Sequence, residues 1–175
     1  MSRAQSFTDL YEHNHQDVLR FVRRRTDPER AEDVVHEAFL VAWRRHDDVP
    51  ARPADARAWL FAVARNCLLN ERRGGLRRDA VGVRLASEPP PATSSHEDAV
   101  VRRAELATAW RLLTAAEQEV LSLELWEDLT SPQAGRVLGI SAAAYRLRLH
   151  RARSALRRHL DSPTSCPTDL QGVTR

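Results

Sequence analysis

Residues 130–160 read TSPQAGRVLGISAAAYRLRLHRARSALRRHL, and this stretch decides the fold. It contains no Asp and no Glu, but it carries seven arginines: Arg136, Arg146, Arg148, Arg151, Arg153, Arg157 and Arg158. Acids and bases nearly balance over the whole chain, whose formal net charge is +3. Because the arginines are segregated in this way, one surface of the protein has a local field that attracts polyanions.

The same stretch predicts two helices joined by a sharp turn. Thr130 and Gln133 form a capping box, and Pro132 lies in the first turn, where its missing N–H costs nothing. Gly139 ends this helix, because only glycine enters the left-handed conformation freely, and Ser141 caps the second helix. One face of the second helix has the spacing of a buried stripe: Tyr145, Leu149, Ala152, Leu156 and Leu160.

The opposite face of the second helix is polar and basic, and it gathers Leu147, His150, Arg151, Ser154 and Arg158. A short helix, a glycine turn and a longer helix with an arginine-rich outer face predict a helix-turn-helix. Gly135 supports this prediction, because a small residue lets two helices cross closely. The alternative is a solvated basic helix in an ordinary bundle, which leaves the acid-free arginine run unexplained.

The length and composition of the chain limit the class of protein. A chain of 175 residues can form one domain or two small ones. Leu, Ala and Val are plentiful and no stretch alternates like a strand, so we expect an all-α fold. No apolar run is long enough to cross a membrane, and residues 1–10 lack the apolar core of a signal peptide. Cys67 and Cys166 make no disulfide framework, which favours a cytoplasmic protein.

The first third of the chain predicts amphipathic helices. Residues 7–25 form one helix or two short ones. Asp27 caps the next helix, Pro28 lies in its first turn, and the helix continues to about Arg45. In this helix Asp33 and Glu37 lie one turn apart on one face. An acid–base or metal pair would need a third ligand that the sequence does not offer, so we expect neither a metal nor a cofactor.

The middle of the chain separates two helical domains. A proline-broken polar loop at 46–56 precedes a strong helix at 57–73, in which Arg65 and Asn66 remain for the outside. Residues 74–95 hold a glycine pair, a run of prolines and few large apolar residues, which predicts a flexible linker. The expected organisation is therefore a domain at 1–73, the linker at 74–95, a second domain at 96–160 and a disordered tail at 161–175.

Three segments, in this order, resemble the extracytoplasmic-function (ECF) sigma factors, the smallest sigma-70-type bacterial transcription initiation factors. The segment AEDVVHEAFLVAWRR, residues 31–45, is similar to their core-polymerase-binding helix. The segment RAWLFAVARNCLLNERR, residues 57–73, is similar to their promoter-melting helix, which reads the −10 element. Residues 113–156 resemble their −35-reading module, and the motif LGIS followed by RLHRAR is quite specific.

The resemblance implies roles for residues of the first domain. The helix at 31–45 would dock on the largest subunit of the polymerase, with four interface or supporting residues: Asp33, Glu37, Phe39 and Trp43. The loop at 48–56 would accept a flipped base of the opened −10 element. Asn66 would touch that strand, and Arg65 would assist on phosphate.

The resemblance also implies roles for the last helix and for partners. The positions that would face the major groove at the −35 element are Arg146, Leu147, His150 and Arg151. Arg148 and Arg153 match flanking positions that would touch phosphate or pack. The implied partners are core RNA polymerase and promoter DNA. No further domain follows residue 160, so regulation would come from a separate protein such as an anti-sigma factor.

Two other classes of protein remain as alternatives to a sigma factor. A stand-alone helix-turn-helix regulator would use the first domain to bind a ligand or to dimerise, but the sequence has no obvious dimer seam. An enzyme is not expected, because the chain has no nucleophile–base pair, no glycine-rich phosphate loop and no HExxH motif. His13 and His15, two residues apart, point away from each other on a helix.

Overall fold

The computed structural model describes residues 2–71, 82–84 and 96–161, and these residues contain no strand. They form the α-helices α1 (Arg3–Arg23), α2 (Pro28–Arg44), α3 (Pro53–Glu71), α4 (His96–Leu112), α5 (Ala115–Leu125), α6 (Ser131–Leu138) and α7 (Ala142–Asp161). A 3-10 turn, His46–Asp48, follows α2. The all-α prediction is confirmed. The tail was predicted at 161–175, but Asp161 is the last residue of α7, and residues 162–175 lie outside the described residues.

Helices α1, α2 and α3 form the first module around one apolar core. Phe21 of α1 stacks on Phe61 of α3, with ring centroids 4.8 Å apart and planes at 15°. Complete burial of such a side chain contributes about 1.5–3 kcal/mol of stability relative to leaving it in water. The capping prediction for α2 was wrong in one respect. Asp27 has the extended backbone of an N-cap but makes no capping hydrogen bond, and its carboxylate pairs with Arg84 instead.

Helices α4 to α7 form the second module, and its predicted caps are present. The carboxylate of Glu117 accepts a hydrogen bond from the backbone N–H of Thr114 at 2.9 Å, which closes the capping box of α5. At the start of α6, Oε1 of Gln133 accepts from the N–H of Thr130 at 3.1 Å. Ser141 Oγ accepts from the N–H of Ala144 at 3.1 Å and caps α7.

The predicted apolar stripe of α7 is buried over most of its length. Tyr145, Leu149 and Ala152 are buried, and Leu156 is partly buried. The Tyr145 hydroxyl donates to the Val120 carbonyl at 3.1 Å, and burial raises the pKa of Tyr145 to about 12, so it stays a neutral donor. The prediction was wrong for Leu160, which is 44% exposed because α7 extends past the body of the module there.

The turn between α6 and α7 depends on two glycines. Gly139 has φ +69° and ψ 32°, the left-handed conformation predicted for it. Gly135 lies where the helices cross, and a Cβ there would approach the carbonyl oxygen of Ile140 to 2.7 Å. That carbonyl belongs to the backbone of the turn, so it cannot rotate away as a side chain would. Position 135 therefore requires glycine for this crossing of α6 and α7.

Gly135→Ala is expected to lower the free energy of unfolding by about 1–3 kcal/mol, because the turn must shift to admit the methyl group. Denaturant unfolding measures the change. A suitable control is Gly139→Asn, since asparagine tolerates a left-handed backbone and a Cβ at position 139 meets no atom within 4 Å. A Gly135→Ala protein as stable as the wild type would mean that the two helices can separate without loss.

The predicted linker is described only at residues 82–84, and there it is packed. Val83 is buried, its N–H donates to Oε1 of Gln118 at 3.1 Å, and its carbonyl accepts from Nε1 of Trp110 at 2.8 Å. The N–H of Arg84 donates to the carbonyl of Arg24 at 2.8 Å. These three residues therefore contact both modules, and the flexibility of the linker as a whole stays a prediction. Residues 74–81 and 85–95 lie outside the described residues.

The two modules are in contact through α3 and α6. The apolar cores of the modules join in one cluster that includes Phe61 of the first module and Trp110 of the second. Within the described ranges, none of the helices is long and apolar enough to cross a membrane.

Candidate nucleic-acid and polymerase interfaces

The outer face of α7 carries the predicted −35-binding residues. Five of them are exposed: Arg146, Leu147, Arg148, His150 and Arg151. They lie outside because the buried stripe of α7 fixes the rotation of the helix against α5 and α6. Leu147 is 52% exposed among arginines. An exposed basic helix with one central apolar side chain can offer charge to phosphates and one apolar contact to a base edge.

Arg153, the sixth predicted residue of this face, is half-exposed but already has a partner. Its guanidinium pairs with the carboxylate of Glu124 on α5. A contact with phosphate would have to displace that carboxylate. The ion pair agrees with the packing role that the sequence left open for Arg153, and its contact with phosphate stays a prediction.

Helix α2 carries the predicted polymerase-binding residues, and the structure divides them. Asp33, Glu37 and Trp43 are exposed, and Trp43 is 40% exposed. Phe39 is only 4% exposed, so of the two roles implied for it the supporting one agrees with its position. Its ring packs into the core against α1, with the centroid of Tyr11 at 4.8 Å. Phe39 supports the surface from below instead of forming part of it.

Trp43 is held in place by two residues near the amino terminus. The Phe7 ring meets it edge-on, with centroids 5.0 Å apart, and the guanidinium of Arg3 lies over its ring at 5.1 Å. The side chain is thus fixed on one side and open on the other. A fixed, half-exposed tryptophan on a helix that also carries exposed carboxylates is the kind of surface that protein interfaces use.

Helix α3 was predicted to present Arg65 and Asn66 to single-stranded DNA, and the structure separates them. Asn66 is exposed. Arg65 is only 8% exposed, so the prediction that it lies on the outside was wrong. Its Nε donates to Oε1 of Glu119 at 2.7 Å and its Nη2 donates to Oε2 at 3.0 Å. This two-pronged contact joins α3 of the first module to α5 of the second.

A cavity of about 630 Å³ lies between α1 and the polar loop that precedes α3. Its apolar walls include Leu10, Val49 and Pro50, and its polar groups include Asp9 and His13. The cavity is open on one side. Residues of the loop at 48–56, which the resemblance to sigma factors assigned to a flipped base, form part of its wall. It can take a flat group of the size of a nucleobase and offer that group both apolar contact and hydrogen bonds.

Further arginines are held by carboxylates across the module boundary. Arg25 is buried and donates from Nη1 to Glu127 Oε1 at 3.4 Å and from Nη2 to Ser122 Oγ at 2.7 Å. Burial lowers the pKa of Arg25 to about 10, so it is still a cation at neutral pH. Burial also raises the pKa of Glu127, and the charges of Arg25 and Arg24 oppose that rise.

Glu119 and Glu127 could not be recognised from the sequence as partners of arginines. Their partners lie far away along the chain, and helical periodicity connects only residues within a few turns. The one signal was the position of Glu119 within α5, where most neighbours are buried and apolar. A carboxylate in such a place needs a cationic partner, but the sequence does not say which one.

Comparison with known proteins gives one match for each of the two modules. Residues 10–78 match the family described as sigma-70 region 2, and residues 103–156 match the family described as sigma-70 region 4. The first match contains α2, α3 and most residues of the cavity wall, and the second contains α6 and most of α7.

Individual relatives agree with the family matches. The chain is 34% identical over 150 residues to the ECF RNA polymerase sigma factor SigL of Mycobacterium tuberculosis, covering 85% of each chain. It is 32% identical over 169 residues to the ECF sigma factor ShbA of Streptomyces griseus, covering 88% of this chain and 87% of that one.

A solved structure of CnrH in complex with the cytosolic domain of CnrY is similar, with a TM-score of 0.61 and 26% identity, over 92% of this chain and 91% of that one. The fold is also that of RpoE from Bartonella quintana, solved with the anti-sigma factor NepR, with a TM-score of 0.65 and 20% identity over 91% and 99% of the two chains. The matched regions, their order along the chain and these relatives together assign the family. The chain belongs to the ECF subfamily of sigma-70-type sigma factors, which direct RNA polymerase in the initiation of transcription.

Proposed function

We propose that the two modules of this sigma factor divide promoter recognition between them, α7 reading the −35 element and the α3 region opening and holding the −10 element. The observation that carries the proposal is the outer face of α7, where Arg146, Leu147 and Arg151 are all exposed on a helix whose other side is buried. A helix of this kind fits the major groove, with arginines on phosphate or guanine and a smaller contact on a neighbouring base.

For the −10 element the proposal uses α3 and the cavity beside it. Asn66 is exposed on α3 and can hydrogen-bond a base or sugar of a separated strand. The cavity between α1 and residues 46–56 would take one base turned out of the stack. Arg65 would join these contacts on phosphate once its ion pair with Glu119 is broken, because a guanidinium pairs with phosphate in the same forked geometry as with carboxylate.

For the polymerase the proposal uses the exposed face of α2, with Asp33, Glu37 and Trp43 in contact with the enzyme. Anti-sigma proteins are the second class of partner, and the complexes formed by CnrH and by RpoE support that class. The work of such a factor is binding and strand separation in the cytoplasm, and the chemistry of RNA synthesis belongs to the polymerase. A stand-alone regulator is not favoured, because it would not need a sigma-70 region 2.

The direct test is transcription in vitro. The purified chain is mixed with bacterial core RNA polymerase and a library of templates with randomised sequences upstream of a transcribed barcode. We expect transcripts only when both proteins are present, and the active templates should share two short elements at a fixed spacing. If the chain binds duplex DNA but transcription stays at the level of core polymerase alone, the stand-alone regulator would be favoured.

Leu147→Ser is expected to relax discrimination at one base pair of the −35 element by about 1–3 kcal/mol, with little change in salt dependence. An exposed leucine among arginines has a thymine methyl group as its natural partner in the major groove. Binding to a promoter library at several salt concentrations measures both quantities. Arg148→Ala is the matched control, because Arg148 is exposed and matches a position that would touch phosphate. It should weaken all sequences alike and reduce the salt slope by about one unit.

Arg153 is a poorer choice for that control than Arg148, since its removal would also break the ion pair with Glu124 and disturb the packing of α7 on α5. A uniform loss of affinity in Leu147→Ser, across all sequences, would mean that Leu147 packs against protein in the complex. The groove-facing side of α7 would then have to be rotated toward Arg148.

Asn66→Ala is expected to slow promoter opening while leaving duplex binding nearly unchanged. The side chain is exposed on α3, so its removal leaves the fold intact and takes away one polar contact to the separated strand. Permanganate reactivity of the melted region, compared with duplex binding, separates the two steps. Premelted templates should restore the activity of Asn66→Ala, and if they do not, Asn66 acts at another step.

A further inference from the structure

We propose that arginine–carboxylate pairs across the boundary of the two modules act as a latch that holds the modules closed and keeps Arg65 away from DNA until they separate. The inference deepens the proposed function and rests on it for the role of Arg65. The closure of the two modules does not depend on the proposed function. It is argued from contacts between α3 and the helices α5 and α6.

The central contact of the latch joins Arg65 and Glu119. Both side chains are buried, Arg65 at 8% and Glu119 at 3% exposure, and two hydrogen bonds of 2.7 and 3.0 Å link them. The carboxylate thus occupies the fork that a phosphate group would occupy in a DNA complex. As long as the pair is intact, this guanidinium is not available to a strand bound along α3.

A second contact lies at the other end of α3, next to the polar loop. Asp55 Oδ1 accepts from Arg136 Nη2 at 2.9 Å and from Gln133 Nε2 at 3.2 Å, and both donors belong to α6 of the helix-turn-helix. The hydrogen bond from Gln133 and the charge of Arg136 hold the pKa of Asp55 below its usual range. Here the first module supplies the carboxylate and the second supplies the arginine.

Two more contacts join the modules, one from α3 and one from the linker. Arg57 of α3 donates from Nη1 to the carbonyl of Glu127 at 2.7 Å. The described part of the linker adds Val83, which is bonded to Gln118 and Trp110 of the second module, while the N–H of the next residue bonds to Arg24 of the first. The module boundary is therefore tied along the length of α3, mostly by arginines and their acceptors.

The ion pairs of this boundary can open reversibly, although the apolar cores of the modules also meet there. An ion pair that is buried only because two modules meet regains its water when they part, so separation does not strand a charge in the apolar core. Removal of one partner has a different effect on the closed form. The remaining charge is then buried without compensation, and the closed form becomes unfavourable relative to an open form in which that charge is hydrated.

The test is the separation of the modules in the full-length chain. Fluorescent labels are placed at Glu12→Cys on α1 and Glu105→Cys on α4, both exposed positions, in a Cys166→Ser background in which Cys67 stays buried. Energy transfer between single pairs of labels reports the closed and open populations. Glu119→Gln keeps the size of the side chain but removes its charge, and it should shift the equilibrium toward the open form by about tenfold or more.

The matched control is Glu32→Gln, which removes a carboxylate from an ion pair at 2.9 Å with Arg23, inside the first module. It should leave the separation unchanged. If Glu119→Gln does not fold, as judged by circular dichroism, Arg136→Gln breaks the exposed pair with Asp55 and should shift the equilibrium in the same direction to a smaller extent. Unchanged energy transfer in the folded variants would overturn the latch.

A second readout concerns the masking of Arg65. Binding of a labelled oligo(dT) strand to the full-length chain should strengthen in Glu119→Gln and return to the wild-type value in the double variant Arg65→Gln, Glu119→Gln. Wider separation without stronger strand binding would support the latch and overturn the masking of Arg65, so a failure of the proposed −10 role remains distinguishable. Stronger strand binding without wider separation would overturn the latch.

Discussion

Arg25→Met is expected to lower the free energy of unfolding by about 3–5 kcal/mol, the largest effect among the variants considered. It removes a buried cation, leaves the buried carboxylate of Glu127 with Arg24 at 3.5 Å, and leaves two other buried acceptors unsatisfied. Arg25 is 1% exposed, and its guanidinium serves three acceptors: the Phe21 carbonyl at 2.8 Å, Ser122 Oγ at 2.7 Å and Glu127 at 3.4 Å. Methionine fills much of the same space but satisfies none of these acceptors. Denaturant unfolding measures the loss.

The loss in Arg25→Met should depend on pH in a defined direction. Burial already raises the pKa of Glu127 in the folded protein, so the folded state binds the proton more tightly than the unfolded state does. Without Arg25 that pKa rises further. A raised carboxyl pKa gives stability that is present below the unfolded pKa and is lost as the pH rises through the folded pKa. The deficit relative to the wild type should therefore be smaller at acidic pH than at neutral pH.

Arg23→Met is the control for Arg25→Met. Arg23 also forms an ion pair with a glutamate, Glu32, but both side chains are about half-exposed. Exposed pairs of this kind contribute about 0–1 kcal/mol, so the control should stay close to the wild type. If the modules separate before they unfold, denaturant unfolding shows two transitions. The loss of stability in Arg25→Met should then appear in the first transition. A deficit below about 1 kcal/mol in Arg25→Met would mean that water reaches the pair in the folded protein.

Asp33→Arg and Glu37→Arg are each expected to weaken binding to core RNA polymerase by at least about tenfold, because a positive charge would replace a negative one within a recognition surface. Both residues are exposed on α2, one turn apart, and the core beneath them is closed by Phe39. The fold should therefore survive the changes. The affinity of each variant for core polymerase is measured in solution, and duplex DNA binding by α7 should stay intact.

Glu12→Arg provides a matched charge reversal on an exposed site of α1, away from this face, and it should bind the polymerase as the wild type does. Because all three variants change the net charge by the same amount, a difference between them reports position and not total charge. Equal affinity in Asp33→Arg, Glu37→Arg and the wild type would remove this face of α2 from the interface.

The helices and their ends could be predicted because their causes are local. The capping box of Thr114 and Glu117, the left-handed Gly139 and the Ser141 cap each involve residues within one turn of one another. The outward face of α7 could be predicted in the same way, because apolar residues at helical spacing fix which side is buried. Arg151 and Leu147 lie on the opposite side of the helix from these apolar residues, so they were predicted to be exposed.

Other features could not be predicted because they depend on what lies opposite a helix face. The sequence of α3 permitted Arg65 to be on the outside of a single module, and Glu119, which buries it, is 54 residues away in the chain. Phe39 and Trp43 lie one turn apart on α2, yet only the rings of α1 decide that the first is buried and the second half-exposed. Residues 82–84 read as part of a linker, and they are ordered by contacts with both modules.

The sequence by itself thus determined the all-α class, the helix-turn-helix and its basic face, since these follow from spacing and capping along a single helix or turn. Only the tertiary structure decided that the modules close on each other and that arginines of the first module are paired with carboxylates of the second. The physical reason is that the burial of an ion pair depends on two surfaces meeting. Periodicity along one chain segment carries no information about the segment that will face it.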